Sequence, residues 1–177
     1  RTNKWWSSWF KLGEWGVGKQ RSLYAPGDPV GHHFVRLETQ YVADAFEITV
    51  EAYVGALVNN IRTIDVTASY LSALQAEDAH TYAAYSSIPP LPVPYISQMS
   101  LAHTEYERLC SPTALVMVLR FISQQYIQPE SFAEAVFDTG FSAYGSWPFN
   151  IAAAYIFLPT GYQIALTPLS HFHVLYQ

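Results

Sequence analysis

The sequence has few charged residues, and few of these are cations. Only 13% of the 177 residues are charged, with nine Lys and Arg against 14 Asp and Glu, and the formal net charge is -5. Because phosphate backbones bind to basic surfaces, this composition argues against a nucleic-acid partner. No uninterrupted apolar run approaches the roughly 18 residues that a membrane-spanning helix needs, so the sequence predicts no membrane span.

Cysteine is nearly absent as well. The one copy, Cys110, cannot form a disulfide within the chain. The sequence also contains no Asn-x-Ser/Thr glycosylation site, and it begins at Arg1, which fits either a processed precursor or a trimmed sequence. Because the composition is acidic, poor in lysine and rich in aromatic residues, we expect an exported or cell-envelope protein of a bacterium.

Hydrophobic side chains are plentiful, at half of all residues, which is enough for one domain or two small ones. In the first part of the chain they alternate with polar residues. Over residues 46–54 every second side chain from Phe46 is apolar, and residues 61–68 alternate similarly. Period-two alternation predicts strands with one buried face. We therefore expect an antiparallel β sandwich or barrel over residues 1–75.

The tryptophans near the N-terminus have two interpretations. Four of the five copies are Trp5, Trp6, Trp9 and Trp15. Alternate rings can pack between the sheets of the predicted β domain, which is the interpretation we favour. The alternative is an exposed platform on which sugar rings stack, since tryptophan combines a large apolar face with a polar N–H.

A dense group of prolines separates this part from the rest. Residues 87–94 contain four prolines, which predicts a stiff, extended connection between domains. We therefore expect three segments: a β domain over 1–75, a connector over 76–94 and a mainly helical domain over 95–177.

Helical spacing of apolar residues begins after the connector. It predicts three helices and a following strand, over residues 112–126, 130–137, 150–157 and 162–169. Pro112 suits the first helical position with Ser111 as N-cap, and Asn150 is the expected cap of the third helix.

Cys110 lies where a polar segment gives way to the first predicted helix. A free cysteine is most often a small buried hydrophobe. A thiol at a helix start instead lies at the positive end of the helix dipole, which stabilises a thiolate nucleophile. The polar approach HTEYERL, over residues 103–109, favours the wall of a groove over a core.

The order of short motifs over residues 92–166 carries a family resemblance. The motifs are VPYISQM, CSPTALVMVL, FAEAVFD, YGSWPFNIAAA and GY. In this order they resemble the first half of a papain-fold cysteine peptidase of the bacteriocin-processing type, in its secreted, multidomain bacterial branch. The segment SSWFKLGEW is similar to the β domain that precedes the peptidase domain in some members. The resemblance implies an α+β fold, with the helical half of a papain-like domain after the β domain.

The resemblance also implies residue roles. Cys110 matches the nucleophile, and Gln98 matches the glutamine whose amide forms an oxyanion hole beside the Cys110 backbone N–H. Such donors stabilise the negative oxygen that develops when a thiolate attacks a carbonyl. On its own, Gln98 would be an ordinary loop glutamine bound to water. The implied reaction is hydrolysis of a peptide bond in a peptide or protein, without a cofactor.

The family's histidine base has two candidate locations. His171 or His173 is one, on a strand brought close by a deletion. We favour the other, a histidine outside this chain, because nothing after Tyr176 can orient the imidazole. A C-terminal segment or a second chain would then complete the domain, and the isolated chain would be weakly active or inactive.

The sequence leaves two other functions to consider. The pairs His32–His33 and His171–His173 suggest metal ligands, but no third Cys, Asp or Glu clusters with them, so no metal site is predicted. The rival to the peptidase is a secreted, non-catalytic protein. In it the aromatic β domain would bind carbohydrate or a cell surface, and the peptidase-like domain would be degenerate.

Overall fold

A computed structural model describes residues 5–16, 19–23, 30–31, 34–35, 43–53, 55–61, 64, 66, 68 and 89–166. The contacts within the chain divide it into two units, one formed by residues 1–36 and 90–164 and the other by residues 37–89 and 165–177. The described residues mix helices with short antiparallel strands, which fits the predicted α+β class.

The first unit contains three helices, as the apolar spacing predicted. They are α1 over Cys110–Ser123, α2 over Pro129–Ala135 and α3 over Trp147–Ala154, which continues into a 3₁₀ turn over Tyr155–Phe157. None of the helices in the described part of the chain has the length and apolar character of a membrane span.

Two predicted helix caps are wrong. Leu109, and not Ser111, is the N-cap of α1, and Ser146 is the N-cap of α3. Asn150 lies inside α3 and is buried. The helices begin earlier because proline, which lacks an N–H, fits several positions of a first turn, where no intrahelical acceptor is available.

The core of this unit lies where the three helices meet. Its fully buried members are Val116, Leu119, Ile127, Phe132, Val136, Phe149 and Ala154. On α1, Val116 and Leu119 are one turn apart, so they face the same side of the helix. Burying this apolar surface stabilises the unit at roughly 25 cal/mol per Å², and it fixes α1, whose first residue is Cys110.

The strands form two separate hairpins. Strand β1 (Gly13–Gly16) pairs antiparallel with β2 (Lys19–Ser22), with Gly13 opposite Ser22. Strand β3 (Val30–Gly31) pairs in the same way with β4 (Phe34–Val35). The described residues therefore contain only two-stranded sheets, and a β sandwich or barrel is not shown.

The β1–β2 hairpin docks on the helical residues of its own unit. The Thr139 N–H donates to the Gln20 carbonyl at 3.0 Å, and the Trp15 ring meets the Phe149 ring edge-on at 6.2 Å between centroids. The hairpin is thus attached to the loop after α2 and to the core side of α3.

A fully buried carboxylate makes this attachment specific. Asp138 Oδ1 accepts hydrogen bonds from the backbone N–H groups of Ser22 (2.9 Å), Gly140 (2.9 Å) and Phe141 (3.4 Å). Its Oδ2 accepts from the hydroxyl groups of Ser22 and Ser146. The Asp138 side chain therefore joins three segments: β2, the loop after α2 that contains Gly140 and Phe141, and the N-cap of α3.

The strand predicted over residues 46–54 is wrong for the residues described. Residues 46–53 belong to no helix or strand, and Phe46, Ile48 and Val50 are 65%, 46% and 40% exposed. Alternation indicates that one face of a strand would be apolar, but it does not specify a neighbouring strand or a surface against which that face packs.

Other predicted elements fall wholly or partly outside the described residues. Residues 162–166 of the predicted last strand are in no strand, and most of 61–68 lies outside the described part. The segment boundaries at residues 75 and 94 stay a prediction, because residues 69–88 are also outside it.

Candidate functional site

Cys110 is the first residue of α1, and its side chain is exposed. The residue before it, Leu109, is fully buried and accepts a hydrogen bond from the Thr113 N–H at 3.0 Å. Leu109 thus anchors the helix start in the core while the thiol faces solvent. The interpretation of Cys110 as a buried core thiol is wrong. At this position the unpaired N–H groups of the first helical turn carry partial positive charge.

Gln98 lies in a 3₁₀ turn over Gln98–Ser100 and is half-buried. Its side-chain Nε2 donates to the Glu107 carbonyl at 2.9 Å. Glu107 belongs to a second 3₁₀ turn, Tyr106–Arg108, which leads directly into the N-cap of α1. The structure therefore ties Gln98 to the segment that carries Cys110.

The orientation of the Gln98 amide follows from its partner. A backbone carbonyl can only accept a hydrogen bond, so the nitrogen and not the oxygen of the amide must face Glu107. An amide nitrogen carries two hydrogens. One binds Glu107, and the second is not used by that bond.

Helix α2 holds the loop between these two residues in place. The Ala102 N–H donates to Glu130 Oε1 at 3.0 Å, and His103 Nε2 lies 2.7 Å from Glu134 Oε1. The pKa of the Glu130 carboxyl lies below its ordinary value, and the largest cause is a hydrogen bond from the backbone N–H of Glu130 at the start of α2. Burial raises that pKa, while the Ala102 N–H and the Gln128 amide lower it further.

His103 is the one histidine in the described part of the chain, and both of its ring nitrogens are engaged. Nδ1 accepts the Glu105 N–H at 2.9 Å, so the ring hydrogen lies on Nε2 and is donated to Glu134. The ring also packs edge-on against Tyr144, at 5.4 Å between centroids. Burial raises the pKa of the Tyr144 hydroxyl, and the negative charges of Glu134 and Glu105 add to this. These contacts give His103 a structural role.

Asn150 links the start of α1 to the segment before α3, which sequence reasoning did not predict. Its Nδ2 donates to Ser111 Oγ at 2.7 Å and to the Tyr144 carbonyl at 3.2 Å. The signal in the sequence was Pro148, since a proline belongs in the first helical turn and places Asn150 inside the helix.

No group of three or more His, Cys, Asp or Glu residues that could hold a metal ion occurs within the residues described. His32, His33, His171 and His173 all lie outside them. The two candidate bases at the end of the chain therefore stay predictions.

Comparison with known families gives a match over the helical part of the chain. Residues 90–167 match the model of the Peptidase_C39 like family. This segment holds Gln98, Cys110 and all three helices, and the match supports a C39-like cysteine peptidase family with peptidase-like, hydrolase character, as the order of motifs predicted. It covers less than half of the chain, so the subfamily and the N-terminal β domain stay predictions. No curated protein and no solved structure matches the chain significantly.

Proposed function

We propose that this chain carries the nucleophilic half of a cysteine peptidase, with Cys110 as the nucleophile. The observation that carries the proposal is the exposed thiol at the first residue of α1, within the segment that matches the peptidase family. A surface thiolate at a helix start is accessible to substrate and lies in a field of partial positive charge.

The proposed reaction forms and then breaks a thioester. The Cys110 sulfur attacks the peptide carbonyl carbon, and the carbonyl electron pair moves to oxygen. The C–N bond then breaks, the amine leaves with a proton, and water hydrolyses the thioester to regenerate the thiol. The second Nε2 hydrogen of Gln98 and the backbone N–H of Cys110 are the proposed donors to the oxyanion.

The leaving amine needs a proton, and the proposed source is a histidine outside this chain. The engagement of both nitrogens of His103 supports this, since His103 has no nitrogen left for a substrate. A C-terminal segment or a second chain would supply the histidine and complete the papain-like domain. His171 or His173 is the alternative. We propose a peptide or protein substrate and a secreted or cell-envelope location.

Labelling and cleavage measured side by side test this proposal. We expect iodoacetamide to alkylate the folded chain at Cys110 near neutral pH, with the Cys110→Ala variant as the unlabelled control. We expect the same chain to hydrolyse mixed peptides weakly, because the missing acid–base group contributes about a hundred- to ten-thousandfold. A longer form bearing a downstream His and Asp is expected to restore turnover.

Two results would contradict parts of this. Strong hydrolysis by the isolated chain that is lost in Cys110→Ala would make His171 or His173 the base. Absence of labelling in the folded protein would remove Cys110 as nucleophile altogether.

A second candidate function rests on the tryptophans near the N-terminus. Trp5, Trp6, Trp9 and Trp15 are 70%, 66%, 66% and 59% exposed. This exposure does not fit rings packed between two sheets, and it favours the platform interpretation, in which apolar ring faces pack against the C–H faces of sugars. The proposed ligand is a carbohydrate of a cell surface.

Cosedimentation with insoluble polysaccharide tests this candidate. We expect the wild-type chain to bind cell-wall peptidoglycan, and the Trp5→Ala/Trp9→Ala double variant to lose most of that binding. Trp147→Ala is the matched control, since Trp147 is 61% exposed at the start of α3. Equal binding by all three proteins, or no binding by the wild type, would contradict carbohydrate binding by these tryptophans.

A further inference from the structure

Asn150 makes a contact between helices that the rest of the core does not require. Its side chain is only 2% exposed, on a helix whose other inward residues, Phe149 and Ala154, are apolar. From α3 it reaches Ser111, the second residue of α1 and the direct neighbour of Cys110. It also reaches the Tyr144 carbonyl, in the segment just before α3.

The direction of the Asn150 amide is determined by the Tyr144 carbonyl. That oxygen accepts only, so the amide nitrogen must face it, and the same nitrogen then donates to Ser111 Oγ. The serine oxygen is held as an acceptor. Two helices and the segment before α3 are therefore joined at one nitrogen atom.

Stability alone does not explain an asparagine here. Asn150 Oδ1 is buried and has no hydrogen-bond partner among the residues that the structure describes, and the same holds for Thr113 Oγ1 on α1. A buried polar atom without a partner is destabilising. An apolar side chain would avoid that penalty but would leave Ser111 without this donor.

We propose that Asn150 is a positioning residue, which fixes the first turn of α1 through Ser111 and thereby holds the Cys110 thiol at the helix end. The proposal rests on the nucleophilic role proposed for Cys110. In this proposal Asn150 acts through Ser111 and not on the thiol itself; it sets the conformation of the turn from which the thiol projects.

The rate of Cys110 alkylation measures this position without any peptidase activity. In Asn150→Ala and in Ser111→Ala we expect the second-order rate with iodoacetamide at pH 7 to fall about two- to fivefold, the factor that corresponds to the effect of a helix end on a charge. Ser111→Thr retains the hydroxyl and is expected to keep the wild-type rate.

A double-mutant cycle shows whether the two residues act as one. If Asn150 acts through Ser111, the double variant should be no slower than either single variant, because a second loss of the same contact removes nothing more. Ala154→Gly is the matched control. It weakens a buried position of the same helix and is expected to lower the melting temperature while leaving the alkylation rate unchanged.

Three outcomes would overturn the proposal. They are a wild-type alkylation rate in folded Asn150→Ala, additive effects in the double variant, and a slow rate in Ser111→Thr. If Asn150→Ala does not fold, Asn150→Leu keeps the approximate shape without the donor and without a buried charge, and takes its place. A chain that alkylates as expected but never hydrolyses peptides, even in a longer form, would refute the peptidase proposal and leave this one standing.

Discussion

Replacing Asp138 by alanine is expected to lower the free energy of unfolding by about 3–5 kcal/mol, because three buried donor groups lose their acceptor and each such loss costs at least about 1 kcal/mol. Five hydrogen bonds end on this carboxylate, and two of them come from Ser22 in the β1–β2 hairpin. The free energy of unfolding of a typical domain is only about 5–15 kcal/mol in total. Chemical denaturation is therefore expected to find Asp138→Ala close to unfolded.

The Asp138→Asn variant keeps the shape of the side chain and removes its charge, so it measures the two contributions separately. Its oxygen can occupy the place of Oδ1, which accepts only from backbone N–H groups. Its nitrogen can then donate to the hydroxyl groups of Ser22 and Ser146, which rotate and accept. We expect Asp138→Asn to lose about 1 kcal/mol, well below the alanine variant, because only the charge assistance is removed.

The wild type and Asp138→Asn should also differ in how their stability responds to acid. Burial, the largest single influence, raises the pKa of Asp138, but the hydrogen bonds from Ser146, Ser22 and Gly140 together outweigh it and hold the pKa below the ordinary value. A lowered pKa in the folded state gives stability that is present above the unfolded pKa of about 4. That stability is lost as the pH falls through the folded pKa.

Thermal melting between pH 7 and pH 3 measures this. The difference in melting temperature between wild type and Asp138→Asn should stay constant above about pH 5 and shrink below pH 4. A difference that does not change with pH would mean that the carboxylate contributes no charge-dependent stability. Asp138→Ala as stable as the wild type would show that the hairpin does not need the carboxylate.

The helices were predictable from the sequence because their signal is local. Apolar residues spaced by three and four define α1, and they do so wherever the helix packs. The sequence places its start two residues late, since Pro112 is the predicted first helical residue while α1 begins at Cys110. Proline is acceptable throughout the first turn, so it indicates a helix start without fixing the residue.

The contacts that join distant segments were not predictable in this way. Ser22 and Asp138 are 116 positions apart, and Asn150 and Ser111 are 39 apart. No periodicity links such pairs, because each depends on how whole elements pack. Cys110 and Gln98 are predicted site residues because their motifs resemble a family. The strand predicted over residues 46–54 is absent from the described residues because alternation specifies no partner strand.

Gln98 is the residue whose loss should most reduce acyl transfer to Cys110. An activated ester such as p-nitrophenyl acetate isolates that step, because p-nitrophenolate leaves without a proton and no histidine is needed. The Cys110 sulfur forms the thioester, and the carbonyl oxygen carries the negative charge in the transition state. A donor at that oxygen accelerates acylation, whereas iodoacetamide reacts by displacement at a saturated carbon and gains nothing from it.

In Gln98→Met, which keeps the length of the side chain but lacks the amide, we expect acylation to slow by about a hundredfold, as for the loss of one oxyanion donor. The rate of iodoacetamide alkylation should stay at the wild-type value. Gln125→Ala is the control, because Gln125 is an exposed glutamine just beyond the other end of α1. If both rates fall together in Gln98→Met, the bond from Gln98 to Glu107 serves only to shape the turn before Cys110. If neither rate changes, Gln98 has no part in the oxyanion hole, and the backbone N–H of Cys110 is the donor that remains from the proposal.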